Sequence, residues 1–272
     1  MRYPTVMTIA GSDSCGGAGI QADIKTISAL GGYACCAITA ITCQNTQGVG
    51  EVEGISPRIV RSQIETVMRD MTIDAFKSGM LYSKDIINET ADVLAKKGNA
   101  FYVLDPVMIS TSGHKLIEGN AIETMVEKLF PISTIVTPNI PETEYLTGIK
   151  LKDEDDTQIA AEKIMELGCE AVLIKGGHSL GDVNIDTLFM RGHEPVKIYA
   201  EKIPTRNTHG TGCTLASAIA TELAKNKNLE DACKAAHDYL HNAILEGKDT
   251  AQGKGHGPVC HFWSPEKQIK IG

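Results

Sequence analysis

Hydrophobic and polar positions along this chain alternate between two periods. Short apolar or β-branched runs at 5–10, 34–42, 75–78, 101–104, 132–137 and 171–175 predict strands. Between them, apolar residues at helical spacing predict helices near 21–30, 84–97, 121–130 and 157–167. A further helix starts at Ser56-Pro57, where proline suits the first helical position, and continues through Ile59, Ile64, Val67 and Met71. Segments 185–190 and 196–200, joined around Arg191-Gly192-His193, predict a β-hairpin on a sheet edge. Helices over 211–225 and 229–245 and a Gly/His-rich tail follow. This βαβα rhythm implies a mostly parallel sheet with helices on both faces. No linker, charge block or repeat interrupts it, so one α/β domain over 1–272 is expected.

Ligands of such sheets bind beyond the carboxyl ends of the strands. The residues that follow the predicted strands are Gly11-Ser12-Asp13, Gln44-Asn45, Gly79-Met80, Asp105-Pro106, Pro138-Asn139 and Lys175-Gly176-Gly177. The topology brings them to one edge of the sheet.

Composition narrows the classes of partner. With 26 Lys+Arg against 34 Asp+Glu, the formal charge is −8, and aromatics are sparse at 5%. That balance disfavours nucleic acid, which needs clustered cations and stacking rings. The apolar runs are about half the ~20 residues that span a bilayer. No secretory leader pattern opens the sequence, so a cytoplasmic setting is expected. None of the eight cysteines forms a CxxC pair, which removes the usual zinc-ribbon and thioredoxin readings. His237 and His241 have metal-ligand spacing but lack the glutamate of HExxH. They, with His256 and His261 in the tail, are not taken as ligands.

Two glycine-rich stretches bear on chemistry. The stretch Gly11-Ser-Asp-Ser-Cys-Gly-Gly-Ala-Gly19 fits neither the P-loop nor the dinucleotide fingerprint. It is either a loop needing positive φ or one that touches substrate. The other, His209-Gly210-Thr211-Gly212-Cys213-Thr214, opens a helix, whose free N–H groups and dipole suit an anion. A thiol at such a terminus is expected to ionise more readily than one in a core. A glycine turn holding a buried cysteine is the alternative.

Six segments in order carry a resemblance. They are Ala10-Gly-Ser-Asp-Ser-Cys-Gly-Gly-Ala-Gly-Ile-Gln-Ala-Asp23, Asp105-Pro-Val-Met108, Thr137-Pro-Asn-Ile-Pro-Glu142, Lys175-Gly-Gly-His178, His209-Gly-Thr-Gly-Cys-Thr214 and Gly255-His-Gly-Pro258. Together they resemble the hydroxymethylpyrimidine/phosphomethylpyrimidine kinases of thiamin biosynthesis, a branch of the ribokinase superfamily. The resemblance implies a three-layer α/β/α sandwich around a mostly parallel sheet. It implies ATP-dependent phosphorylation of 4-amino-5-hydroxymethyl-2-methylpyrimidine to the monophosphate and then the pyrophosphate, with Mg²⁺, in a homodimer.

The same resemblance distributes roles. Gly210, Thr211, Gly212 and Cys213 match an anion hole, with Cys213, where the wider superfamily has aspartate, as base for the hydroxyl proton. Asn139 and Glu142 match an Asn-x-x-Glu motif for phosphate and magnesium, with Asp105 beside them and Lys175 aimed at the ATP phosphates. Gln44, Asp23, Gly11, Met80 and Val107 match the pyrimidine pocket. Core or surface roles remain the alternatives for Asp23, Met80, Val107, Glu142 and Lys175. A pyridoxal/pyridoxine kinase and a non-catalytic binding protein for the pyrimidine or a B6 vitamer are the competing functions.

Overall fold

The computed structural model describes residues 1–108, 120–176 and 182–272. Its elements in chain order are β1 (Thr5–Asp13), α1 (Gly19–Ala29), β2 (Tyr33–Asn45), β3 (Gly48–Gly54), α2 (Pro57–Asp70), β4 (Ala75–Ser78), α3 (Lys84–Leu94), β5 (Phe101–Leu104) and α4 (Ala121–Leu129). Then come β6 (Ile135–Val136), α5 (Ile140–Thr147), α6 (Glu154–Glu166), β7 (Ala171–Ile174), β8 (Val183–Met190), β9 (Val196–Glu201), α7 (Thr211–Ala224) and α8 (Leu229–Gly247).

These strands form one sheet in the order β3-β2-β1-β4-β5-β6-β7-β8-β9. Pairing is parallel from β2 through β7, and antiparallel where β3 and the β8–β9 hairpin close the two edges. Successive strand residues point to opposite faces, and the central strands are apolar on both. Met7, Ile9, Phe76, Tyr102 and Leu104 pack with α2, α3, α4 and α6. Val6, Ala75, Val103, Ile135 and Leu173 pack with α1, α7 and α8. The result is the three-layer α/β/α sandwich that the resemblance implied.

Two elements differ from the sequence reading. Strand β3 was not expected, because Gly-Val-Gly-Glu-Val-Glu-Gly has too few apolar residues to announce a strand. It forms as the antiparallel partner of β2, which extends to Asn45. Helix α5 was read only as a motif. Its boundaries are set by capping: Asn139 Oδ1 accepts from Glu142 N–H, Glu142 returns a bond to Asn139 N–H, and Gly148 ends it at φ +72°.

Candidate active site

The site is built where β1, β2, β4, β5 and β7 end and α7 begins. Strand β1 runs into the turn 13–18, and Asp13 organises that turn. Its carboxylate accepts from the backbone N–H groups of Cys15 (2.8 Å), Gly17 (3.0 Å) and Ala18 (2.8 Å). His209 Nε2 stands 2.8 Å from the same carboxylate. Burial alone would raise the Asp13 pKa. The bonds from His209, Ala18 and Cys15 outweigh it, so the group is held below the usual carboxylate range. An ionised Asp13 only accepts, so His209 Nε2 is the donor.

This pair ties the first glycine loop to the second. A Cβ on Gly17 would meet the His209 ring at 2.5 Å, and one on Gly210 would meet Gly17 O at 1.8 Å. Gly210 also has φ +83°, so both its conformation and its surroundings require glycine. The two loops are thus packed backbone to backbone. Asp13, Cys15 and His209 hold oxygen, sulfur and nitrogen atoms within 4.8 Å of one another. With the carboxylate already engaged by four donors, the cluster is a structural clamp.

The residues expected to form the ring pocket lie at the neighbouring strand ends. Gln44 is half-buried on β2; its Oε1 accepts from Thr42 Oγ1 (3.2 Å) and its Nε2 lies 3.4 Å from His209 Nε2. Because that imidazole nitrogen already donates to Asp13, the Gln44 amide keeps its own hydrogens for a ligand. Gly11 lies against Met80, whose sulfur would be 3.1 Å from a Cβ there. Met80 is 8% exposed, and Val107 is half-buried just beyond β5. Apolar walls beside one amide suit a flat heteroaromatic ring.

Asp23 corrects the sequence reading. It is fully buried on α1 and its two oxygens are taken by Lys77 Nζ (2.9 Å to each), Thr8 Oγ1 (2.5 Å) and Ser217 Oγ (2.7 Å). With four hydrogen bonds from three donor groups in place, the carboxylate has no capacity left for a substrate amino group. Its position in the sequence hid this, because its principal partner Lys77 lies 54 residues away.

A separate cluster surrounds Gly212. Lys175 Nζ bonds Asp105 Oδ1 at 2.8 Å, and both groups face Gly212, where a Cβ would be 3.4 Å from Asp105 Oδ2 and 3.5 Å from Lys175 Nζ. A parallel bridge between Asn139 and Lys175 brings α5 alongside. Burial raises the Glu142 carboxyl, Lys175 opposes the rise and Asp105 adds to it, leaving it at about 7. Gly177 and His178 of the Lys-Gly-Gly-His segment lie outside the described residues.

Cys213 sits in the first turn of α7, next to Gly212. The expectation of a lowered thiol pKa is overturned: burial pushes Cys213 up to about 11, further raised by Asp23 and Asp105 and only partly offset by Lys77 and a Gly19 N–H. Cys213 is half-buried, and the desolvation of its thiolate outweighs the helix terminus.

The clamp residues Asp13 and His209 and the buried Lys77 were not singled out from sequence. A signal for Lys77 was present, since a lysine inside the four-residue run Ala75-Phe76-Lys77-Ser78 has to be buried and paired. In the tail, His209 N–H donates to Gly257 O (3.0 Å) and His256 N–H to Thr46 O (2.8 Å), so the segment crosses the site rim. His261 packs beneath α7, with Nε2 3.2 Å from Thr214 Oγ1. His237 Nε2 lies 3.8 Å from Asp186.

A glycine-rich helix start facing a lysine–aspartate pair, at the carboxyl edge of a ribokinase-like sheet, has the make-up of a small-molecule kinase. Residues 13–260 match the family model for phosphomethylpyrimidine kinase, and the chain belongs to that family. It is 48% identical over 257 residues to the hydroxymethylpyrimidine/phosphomethylpyrimidine kinase of Rhizobium meliloti, covering 94% of this chain and 96% of that one. It also matches the thiamine biosynthesis bifunctional protein ThiED of Geobacter sulfurreducens at 44% identity, spanning 53% of its length. Among solved structures, phosphomethylpyrimidine kinase from Clostridium difficile has TM-score 0.78 and 43% identity, covering 88% of this chain and 99% of that one. Pyridoxal kinase from Staphylococcus aureus, in complex with AMP-PCP and pyridoxal, has TM-score 0.87 and 32% identity, covering 96% and 94%.

Proposed function

We propose that this kinase transfers the γ-phosphoryl group of ATP to the hydroxymethyl oxygen of 4-amino-5-hydroxymethyl-2-methylpyrimidine, and then a second phosphoryl group to the resulting monophosphate. The observation that supports this is the start of α7, where Gly212 faces the Lys175–Asp105 pair and Cys213 is bonded by the N–H of Gly19, which packs on Gly11. An alcohol seated beside Gln44, Met80, Val107 and Gly11 would present its oxygen toward the start of α7.

In each transfer the acceptor oxygen forms a bond to the γ-phosphorus while the bond to the ADP oxygen breaks. The N–H groups of Gly210, Gly212 and Cys213 stabilise charge on the transferring group, Thr211 N–H being turned to Thr208 O, and Lys175 neutralises charge on the donor phosphates. For the alcohol, the hydroxyl proton passes to Cys213 Sγ. The thiolate is a minor form of the unliganded protein at neutral pH. The thiol therefore first loses its own proton to solvent, and transfer runs through that minor thiolate form; the hydroxyl proton leaves late, when its oxygen is already bonding to phosphorus and has become acidic.

Glu142, with Asn139 beside it, fits a hard dication. Its carboxylate is an oxygen donor whose burial and repulsion from Asp105 disfavour its charge, and a bound Mg²⁺ would relieve that. Such an ion neutralises phosphate charge when bound. The same reading carries a homodimer and a cytoplasmic setting. No described helix is long and apolar enough to cross a membrane.

The fold likeness to a pyridoxal kinase favours a second reading, in which a pyridine alcohol is the acceptor. ADP release should be followed with the pyrimidine alcohol, its monophosphate and pyridoxine, each with Mg-ATP. The proposal expects turnover of the first two. Turnover of pyridoxine alone would select the second reading, and no turnover with any acceptor would leave a binding protein.

A further inference from the structure

Beneath the proposed base lies a charge pair that substrate cannot reach. Lys77 on β4 and Asp23 on α1 both have 0% side-chain exposure and are 2.9 Å apart. Two fully buried charges are costly unless each is well matched. Asp23 is matched by Lys77, Thr8 and Ser217. Lys77, which has three donors, has Asp23 as its one hydrogen-bonded partner among the described residues. A Cβ on Gly79 would lie 3.0 Å from Lys77 Nζ, so the ammonium lies at the carboxyl end of β4, directly below Gly79-Met80. Ser217, which bonds Asp23, is one helical turn beyond Cys213 on α7 and shares its face.

We propose that Lys77, fixed by Asp23, is a positioning residue that supplies the counter-charge for the Cys213 thiolate. The inference rests on Cys213 being the base. Four charged groups act on that thiol: Lys77 from β4, Asp23 from α1, Asp105 after β5 and Lys175 after β7. They are two cations and two anions, each cation hydrogen-bonded to one of the anions. Of these, Lys77 is the strongest influence favouring the thiolate. Asp23 sets where the ammonium sits and limits its effect. In this arrangement Lys77 remains protonated throughout, since its own proton is held firmly by Asp23. The hydroxyl proton goes to sulfur and later to solvent.

The test is iodoacetamide alkylation of Cys213 across pH, read at the peptide that contains it, in wild type, K77M and D23N. Alkylation follows the thiolate fraction. Expected is about a tenfold slower reaction below the thiol pKa in K77M, one pKa unit, and a faster one in D23N. General loosening of the fold would accelerate both. Equal rates in all three, or shifts of the same sign, overturn the proposal. If either single variant fails to fold, K77M/D23N removes the pair without leaving a lone buried charge. Slower alkylation and a lowered kcat with little change in KM for the pyrimidine support the assignment there, and wild-type alkylation overturns it. A parallel C213A assay separates the two ideas. Near-normal turnover in C213A removes the base role while leaving the alkylation result to judge the electrostatic coupling on its own.

Discussion

At the residue scale, Cys213 and Gln44 are the side chains proposed to divide turnover from pyrimidine binding. Replacing Cys213 by alanine removes the proton acceptor without opening the ring pocket. The expected outcome is a fall in kcat of about a hundredfold or more, with KM for the pyrimidine nearly unchanged, checked by steady-state kinetics. Gln44→Ala should do the reverse, raising KM by roughly ten- to a hundredfold with a smaller effect on kcat. Its amide hydrogens are otherwise unused, so truncation costs the ligand a partner and the protein only the long bond from Thr42 Oγ1, which also donates to Ser12 O. Cys213 was legible from its glycine-rich motif, and Gln44 from its place after a predicted strand together with the family resemblance. The thiol's ionisation was not, because a helix terminus shows in sequence as Gly-Thr-Gly-Cys while the desolvation that opposes it comes from β4, β5 and α1. Asp23 was misplaced for the same reason, since nothing local reveals a lysine arriving from another strand.

At the element scale, α7 depends on how its N-terminus is seated. Gly210 packs on Gly17 and adopts φ +83°. Gly210→Ala therefore strains the backbone and forces the two loops apart. It should lower stability by about 2 kcal/mol or more and reduce kcat beyond what the stability loss explains. Thermal melting together with activity of the folded fraction checks both parts.

The other end of this seat is His261, under α7. Burial, then Lys25 and His209, depress its pKa from 6.5 to about 4. The unfolded chain therefore takes up a proton that the folded chain refuses between those values. Its contribution is fully present above about pH 6.5 and is lost progressively toward pH 4, by about 3 kcal/mol at most. H261Q, which can still meet Thr214, should flatten the fall in melting temperature over that range. An unchanged slope would assign the acid sensitivity elsewhere. Glycine-rich and histidine-bearing segments were visible in sequence as motifs. Their contact with each other, through Asp13 and His209, was not, because 196 residues separate the two.

For the whole molecule, the βαβα periodicity was enough to place a mostly parallel sheet and its C-terminal edge. The edge strand β3 escaped, since its pairing with β2 is set by tertiary contact and not by its own apolar content. The net charge of −8 is compatible with the proposed phosphate site, which would be made of backbone N–H groups and of Lys175 within a local pair. Global charge is silent about so small a region. The ordered set of segments carried the family, and the buried pairs Lys77–Asp23 and Lys175–Asp105 show how the core and the site share one edge of the sheet.

The most direct test of the central claim is phosphorus NMR of the protein incubated with Mg-ATP and the pyrimidine alcohol. The account predicts a phosphomonoester signal that appears first and then yields to the paired signals of a diphosphate ester as ADP accumulates. A monoester that persists unchanged with ATP in excess, or no ester at all, would contradict it.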